Sequence, residues 1–333
     1  MTKRKKIVLS IIAAMVAGQV FLLSALFYMN RPVERKITFC ATFSSWHARY
    51  FGLDAGSVLD AALKDLQIKN YRIPVYWNVA EANRGKYDFS DIDWQLDKIE
   101  KEGGAVILAI GRRLPRWPEC HIPNWAANLK EIEQQKLILK MLTAAVDHFK
   151  NRQSIEAWQV ENEPTLEGYG ECPAPNTTFL KEEVGLVRSL DSRPIIITES
   201  GELSTWLTAA KLADKIGISI YRTVWNRIVG FISYPLVPAY YRYHAKILAP
   251  FVQKIFVVEL QVEPWAHTTL IQMPKEAQKT IMNERKAKQA IEFAKQAGFK
   301  EIYLWGLEWW AYLKTNGDSG MWQTIKDEVA KNI

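Results

Sequence analysis

The chain has 333 residues, 48% of them hydrophobic, enough to bury one large core or two smaller ones. Its net charge of +7 suggests a nucleic-acid or membrane partner, but residues 1–36 hold Lys3, Arg4, Lys5, Lys6, Arg31, Arg35 and Lys36 against Glu34 and so carry +6 of it. The nearly neutral remainder has no Lys- or Arg-rich stripe, which argues against a nucleic-acid partner, and five scattered histidines do not have the spacing of a metal site, so neither metal nor cofactor is expected.

The first element is apolar. Residues 7–30 (IVLSIIAAMVAGQVFLLSALFYMN) contain no charged side chain, a length that as a helix crosses a hydrocarbon core of about 30 Å. The basic run Lys3–Lys6 places the N-terminus in the cytoplasm, and Tyr28 suits the far interface. The expected organisation is a cytoplasmic tail over 1–6, a transmembrane anchor over 7–29, a short linker over 30–36 and one catalytic domain over 37–333, outside the cytoplasm. A cleaved signal peptide is the rival reading; the apolar run exceeds the roughly 7–15 residues usual for one, and no A-x-A site follows.

After the anchor, short apolar runs alternate with amphipathic stretches. Strands are expected at 37–43, 71–77, 105–111, 155–161, 194–199, 216–221, 255–259 and 301–305, each rich in Val, Ile and aromatics as strands buried on both faces are. Helices are expected at 56–66, 91–102, 129–150, 178–190, 203–215, 238–251, 275–298 and 321–332, with Ser90 as a cap before the second and Gly103-Gly104 closing it. Strict alternation implies a parallel sheet with right-handed crossovers, and eight units in one domain point to a closed (β/α)8 TIM barrel, acting as a monomer. A doubly wound sheet is the runner-up, but no Gly-rich phosphate loop follows the first strand.

In a barrel the site lies at the carboxyl ends of the strands. Those ends carry Trp46 and His47 (first), Arg72 and Trp77 (second), Arg112 and Arg113 (third), Asn162 and Glu163 (fourth), Glu199 (fifth), Tyr221 (sixth), Glu259 (seventh) and Trp305 (eighth). Two carboxyl groups flanking a bond are what acetal hydrolysis requires, one to protonate the leaving oxygen and one to attack the anomeric carbon or activate water. Aromatic floors suit the apolar faces of sugar rings, and Trp46, Trp77, Trp117, Trp125, Trp225, Trp265, Trp309 and Trp310 fall in expected rim loops, where packing of a large barrel is the competing role. A carbohydrate is therefore the expected partner.

Here the residues match a family. Asn162-Glu163-Pro164 at the fourth strand end resembles the acid/base motif of clan A retaining glycoside hydrolases, among them the cellulase-like family 5. YRIPVYW (71–77) is similar to the strand-two arginine motif, VVELQVEPW (257–265) to the strand-seven nucleophile segment, Tyr221 in GISIYR to the strand-six tyrosine and Trp305 in YLWG to the strand-eight tryptophan. The resemblance implies Glu163 as general acid/base, Glu259 as nucleophile, Asn162 on the sugar 2-hydroxyl, and Arg72 and Tyr221 holding the nucleophile; Trp305, Trp46, His47 and Trp265 complete the expected substrate contacts. One departure is the strand-three His-Asn pair of family 5, replaced here by AIGRRLPRWPE. TESG at 198–201 superficially resembles another clan A nucleophile motif and leaves Glu199 as a rival, although it ends the fifth strand. Glu263 reads as a subsite or loop residue, Glu161 as an arginine partner and Glu167 as a solvated charge.

Cys40 sits in an apolar strand, a buried thiol, whereas Cys120 and Cys172 lie in two proline-rich loops and pair if those loops are neighbours in an oxidising compartment; two free thiols are the alternative. The leading function is a membrane-anchored retaining β-glycoside hydrolase. A transglycosylase remodelling surface glycan shares both glutamates, and a non-catalytic carbohydrate-binding barrel would dispense with one.

Overall fold

A computed structural model describes residues 36–226, 228–266 and 268–332. Eight parallel strands close into a barrel: β1 (Thr38–Thr42), β2 (Tyr71–Pro74), β3 (Val106–Ile110), β4 (Ile155–Val160), β5 (Ile195–Ser200), β6 (Lys215–Ile220), β9 (Lys254–Gln261) and β10 (Glu301–Trp305), the last pairing with β1. An antiparallel hairpin, β7 (Thr223–Asn226) and β8 (Gly230–Ser233), follows β6. The expected strands thus all form, because short Val/Ile runs buried on both faces fit only a sheet covered by helices.

Inside the barrel, Cys40, Ile107, Ala157, Ile196, Phe256, Val258 and Tyr303 make a closed apolar plug. The large core lies between strands and helices. Two residues further along β1, β4 and β5, and at the neighbouring position of β6, the inward row becomes polar: Thr42, Gln159, Thr198 and Ser219 are all buried. The plug thus forms a floor and the polar row the base of a site.

The helices depart from the expected ones in instructive ways. Ser90 is the first helical residue of Ser90–Lys101 rather than its cap; its N–H is received by the Asp88 carboxylate at 2.9 Å. The segment 275–298 is two helices, Lys275–Ile281 and Glu284–Ala297, because Asn283 takes an extended backbone and its side chain accepts from Lys286 N–H, capping a new helix. The segment 203–215 narrows to Leu207–Leu212. Short helices at Ser45–Tyr50 and Trp77–Ala80, and a longer one at Leu307–Thr315, fall where rim loops are expected. Trp77, Trp309 and Trp310 are consequently fully buried, their indole N–H groups given to Glu81, Gln278 and the Val262 carbonyl. For these three tryptophans, packing is the role.

The expected anchor over 7–29, with its flanking tail and most of its linker, lies outside the described residues. Among the described residues no helix is long and apolar enough to cross a membrane.

Candidate active site

At the end of β4 the chain turns sharply. Glu161 and Glu163 both adopt left-handed backbone, φ 59° and 43°, a conformation that glutamate enters at a cost and keeps only where surrounding bonds over-determine it. Those bonds are present. The Glu161 carboxylate takes the backbone N–H groups of Arg112 (2.7 Å) and Arg113 (2.6 Å), Asn162 N–H reaches the Arg113 carbonyl at 2.7 Å, and Glu163 N–H goes to Thr198 Oγ1 at 2.8 Å. Glu161 is therefore a backbone clamp, and its charge also acts on the Arg112 guanidinium, as expected of an arginine partner. The turn delivers the Glu163 side chain over the barrel interior, where Ser219 Oγ donates to Oε1 at 2.5 Å.

Glu259 reaches the same place by a different device. Along β9, Phe256 and Val258 face the plug, so plain alternation would turn position 259 outward. The pairing with β6 slips by one residue at this point: Ile218 opposes Val257 and Ser219 opposes Glu259. This bulge resets the phase and aims Glu259 inward beside Ser219, the partner of Glu163. Gly217 makes room for it, since a Cβ there would come within 2.7 Å of Val258.

Two donors hold Glu259 by separate oxygens: Arg72 Nη2 at 2.6 Å on Oε1 and Tyr221 Oη at 2.8 Å on Oε2. Arg72 is fully buried and its Nε is fixed by Thr42 Oγ1 at 3.0 Å. Glu163 meets the opposite environment. Burial pushes its carboxyl up to about 8, the negative charge of Glu259 adds to that, and the Ser219 hydroxyl pulls back against it. One carboxyl is thus neutral at neutral pH beside another gripped by a cation and a hydroxyl, the pairing that separates an acid from a nucleophile.

Asn162 is locked by its neighbours. Its Oδ1 accepts from Thr198 Oγ1 (3.1 Å) and Gln159 Nε2 (3.3 Å), and its Nδ2 donates to Glu119 Oε2 at 3.3 Å. Next to Glu119 stands Arg113, 3.8 Å away. Glu119 was not legible in the sequence as a site residue: it sits well past the end of β3, in a run of prolines and arginines. Burial pushes its carboxyl up to about 8; Arg113 opposes this, and Glu259 and Glu163 reinforce it. It is the third carboxyl of the cluster. Glu202 stands behind Tyr221, taking that residue's N–H at 3.0 Å and Tyr241 Oη at 2.6 Å, with its carboxyl pushed by burial up to about 7.

The other expected residues sort as follows. Trp305 ends β10 in the site, with the Arg116 guanidinium carbon 3.9 Å from its ring centre and that of Arg72 at 5.7 Å. Arg116 is ion-paired with Glu263 and with Glu308 (2.6 Å), so Glu263 is a salt-bridge partner. Trp265 packs between Tyr221 (5.0 Å) and Tyr169 (5.1 Å). Trp46 and His47 lie in the short helix after β1; Trp46 packs against Tyr76 at 5.9 Å and His47 stacks on Tyr50 at 5.4 Å, its pKa pulled well down by burial and then by the charge of Arg116. Arg112 leaves the mouth for Glu131 at the start of helix Glu131–Phe149, 2.7 Å away. Glu199 points away from the site: its oxygens accept from Thr165, Ser204 (2.6 Å) and Ala209 N–H (3.3 Å), behind β5. Glu167 is exposed. Cys120 and Cys172 are joined in a disulfide with Cα atoms 5.2 Å apart, tying the loop after β3 to that after β4, and Cys40 is a buried free thiol.

No model of a known protein family matches the chain, and no curated protein matches it in sequence. Solved structures do match. A variant of GH5_18 from Bifidobacterium longum, in complex with Manb1-4GlcNAc, aligns with a TM-score of 0.63 at 9% identity over 89% of this chain and 78% of that one. Native xylanase 10B from Thermotoga maritima aligns at 0.57 and 14% identity, over 89% and 97%. A polyextremophilic β-galactosidase from the haloarchaeon Halorubrum lacusprofundi aligns at 0.58 and 14% identity over 88% of this chain, which spans 58% of that longer one. The chain folds as they do. At these identities the likeness is one of fold, and what it adds is independent of the strand-end motifs: the backbone alone leads to barrels of the kind those motifs resemble.

Proposed function

We propose that the protein is a retaining β-glycoside hydrolase, held at the cell membrane by residues 7–29 with its barrel outside the cytoplasm. The observation that carries the reading is the contrast between two carboxyls over one mouth. Glu163 is kept neutral by burial and by its neighbour, while Glu259 is gripped by Arg72 and Tyr221.

The chemistry follows from those environments. Glu259 attacks the anomeric carbon as Glu163 gives its proton to the glycosidic oxygen, and the C–O bond to the leaving sugar breaks. Charge moves from Glu259 into the new ester bond, so Arg72 and Tyr221 hold the group in line throughout. Glu163, now a carboxylate, takes a proton from water; the water oxygen bonds to the anomeric carbon and Glu259 is released. Two inversions give retention. Asn162, with its amide orientation fixed by Thr198 and Glu119, presents a donor for the sugar 2-hydroxyl. Tyr169, Trp265 and Tyr221 supply the aromatic contacts.

The test is a screen of aryl β-glycosides and β-linked oligosaccharides, with the anomeric form of the first product followed by NMR. A β product is expected. An α product removes the double displacement, and no turnover on any of the glycosides removes the hydrolase. Protease shaving of intact cells should release the barrel; protection would reverse the proposed orientation.

A further inference from the structure

The loop after β3, residues 111–123, is bonded to several neighbouring segments of the mouth. Barrel order places the ends of β10, β1, β2 and β3 side by side, and this loop lies across them. Tyr76, just past β2, bridges Ser44, just past β1, and the Pro115 carbonyl, at 3.0 Å each. The His121 ring packs on Tyr76 at 4.1 Å. Arg116 then crosses to Glu263 and Glu308, beyond the ends of β9 and β10, and the second oxygen of Glu308 takes Ser44 N–H at 2.6 Å. Its flank is pinned by the Cys120–Cys172 disulfide and by Arg113, which donates to the Leu166 carbonyl at 2.7 Å. Arg116 and Glu119 have left-handed backbone, φ 84° and 70°, and both are buried; only Trp117, at the tip, is 56% exposed.

Resting on the hydrolase reading, the direction of this wall has a chemical meaning. The acid protonates the oxygen that departs, so the leaving part of the substrate lies towards Glu163 on β4. The ring under attack lies over Glu259, and any further sugars joined to its far end would run away from Glu163, towards β10, β1 and β2. That is the side the loop closes. Arg116 also covers one face of Trp305 at 3.9 Å, so the tryptophan has no free face there on which a second ring could stack. We infer that the protein removes single sugar units from the non-reducing end of its glycan, with Arg116 and its two glutamates setting the depth of the pocket. The remainder of the substrate leaves over the β5–β6 side.

The experiment uses the whole protein with gluco-, manno- and xylo-configured β-1,4-hexasaccharides carrying a fluorescent label at the reducing end, alongside the matching p-nitrophenyl β-monoglycosides. Expected is release of p-nitrophenol and, on the cleaved hexasaccharide, a labelled pentasaccharide as the first product, then the tetrasaccharide. Labelled di- or trisaccharide at the outset overturns the inference and leaves the hydrolase standing. Absence of turnover on every probe overturns both. Arg116→Ala, which removes the crossing side chain, is expected to let shorter labelled products appear early; an unchanged ladder from a folded variant shows that Arg116 does not set the depth.

Discussion

Replacing Ser219 by alanine isolates the electrostatics of the proposed acid. Ser219 is 3% exposed, and its hydroxyl, 2.5 Å from Glu163 Oε1, favours the charged form of that carboxyl. A hydrogen bond to a charged group contributes about 1.5–3 kcal/mol and one to a neutral group about 0.5–1.5, so losing the hydroxyl disfavours the carboxylate by roughly 1–1.5 kcal/mol relative to the acid, or about one pKa unit. The sign is upward. Glu163 must carry its proton when substrate arrives, and in the native protein it loses that proton near pH 8. The alkaline limb of kcat/KM, which reports the free enzyme, should therefore begin near pH 8 in the parent and move about one unit higher in Ser219→Ala, with little change at about pH 6. The assay is hydrolysis of an aryl β-glycoside between about pH 5 and 10, with thermal denaturation at each pH as a control for folding. Because Glu119 titrates in the same range, the limb belongs to the cluster rather than to one residue. A limb that stays in place, or moves to lower pH, would refute the claim that Ser219 tunes the proton donor.

Other predictions follow from the same contacts. Glu163→Gln and Glu259→Gln should each reduce kcat by orders of magnitude, the first with a melting temperature near the parent value and the second folded with a lower one, because it leaves the buried Arg72 guanidinium without its counter-charge. Glu199→Gln should retain activity, its carboxyl being engaged behind β5, and the reverse pattern in steady-state kinetics would move the nucleophile to the fifth strand. Labelling of thiols in unfolded, unreduced protein should find Cys40 alone, and three labels would break the Cys120–Cys172 link. The melting temperature should fall as pH rises. Glu163 and Glu119 have folded pKa values of about 8 against an ordinary 4.5, so the stability held by their neutral forms is complete below about 4.5 and is lost as pH climbs through about 8. Glu119→Gln, which cannot ionise, should flatten that slope in calorimetry.

The barrel was readable because its strands announce themselves. VILAI, IEAWQV and IIITES are apolar runs that only a doubly covered sheet accommodates, and each forms within a residue or two of the expected bounds. Counting strands then located Glu163 and Glu259. What could not be read depends on contacts between distant segments. Trp309 and Trp310 look like rim aromatics because nothing local signals a helix after Gly306; they are buried by partners 31 and 48 residues away. Glu119 and Arg116 hide in a loop whose path is set by a disulfide, ion pairs and left-handed backbone, none of which has a periodicity. The hairpin β7–β8 was missed because TVWNRIVGFIS has no two-residue turn of the Asn-Gly kind.

The irregularity in β9 has a consequence for how such a chemistry is inherited. Side-chain direction along a strand is a binary variable, so the identity of residue 259 matters no more than whether an odd or even number of residues separates it from the plug. Were β9 to pair with β6 without the slip, Val258 would oppose Ser219 and Glu259 would turn outward, although every glutamate, arginine and tyrosine of the mouth were kept. Substitution tables cannot register that kind of loss, because no functional amino acid has changed. In this barrel the inward carboxylate is specified partly by arithmetic, and Gly217, which lets Val258 pack where a larger neighbour would collide, guards the count.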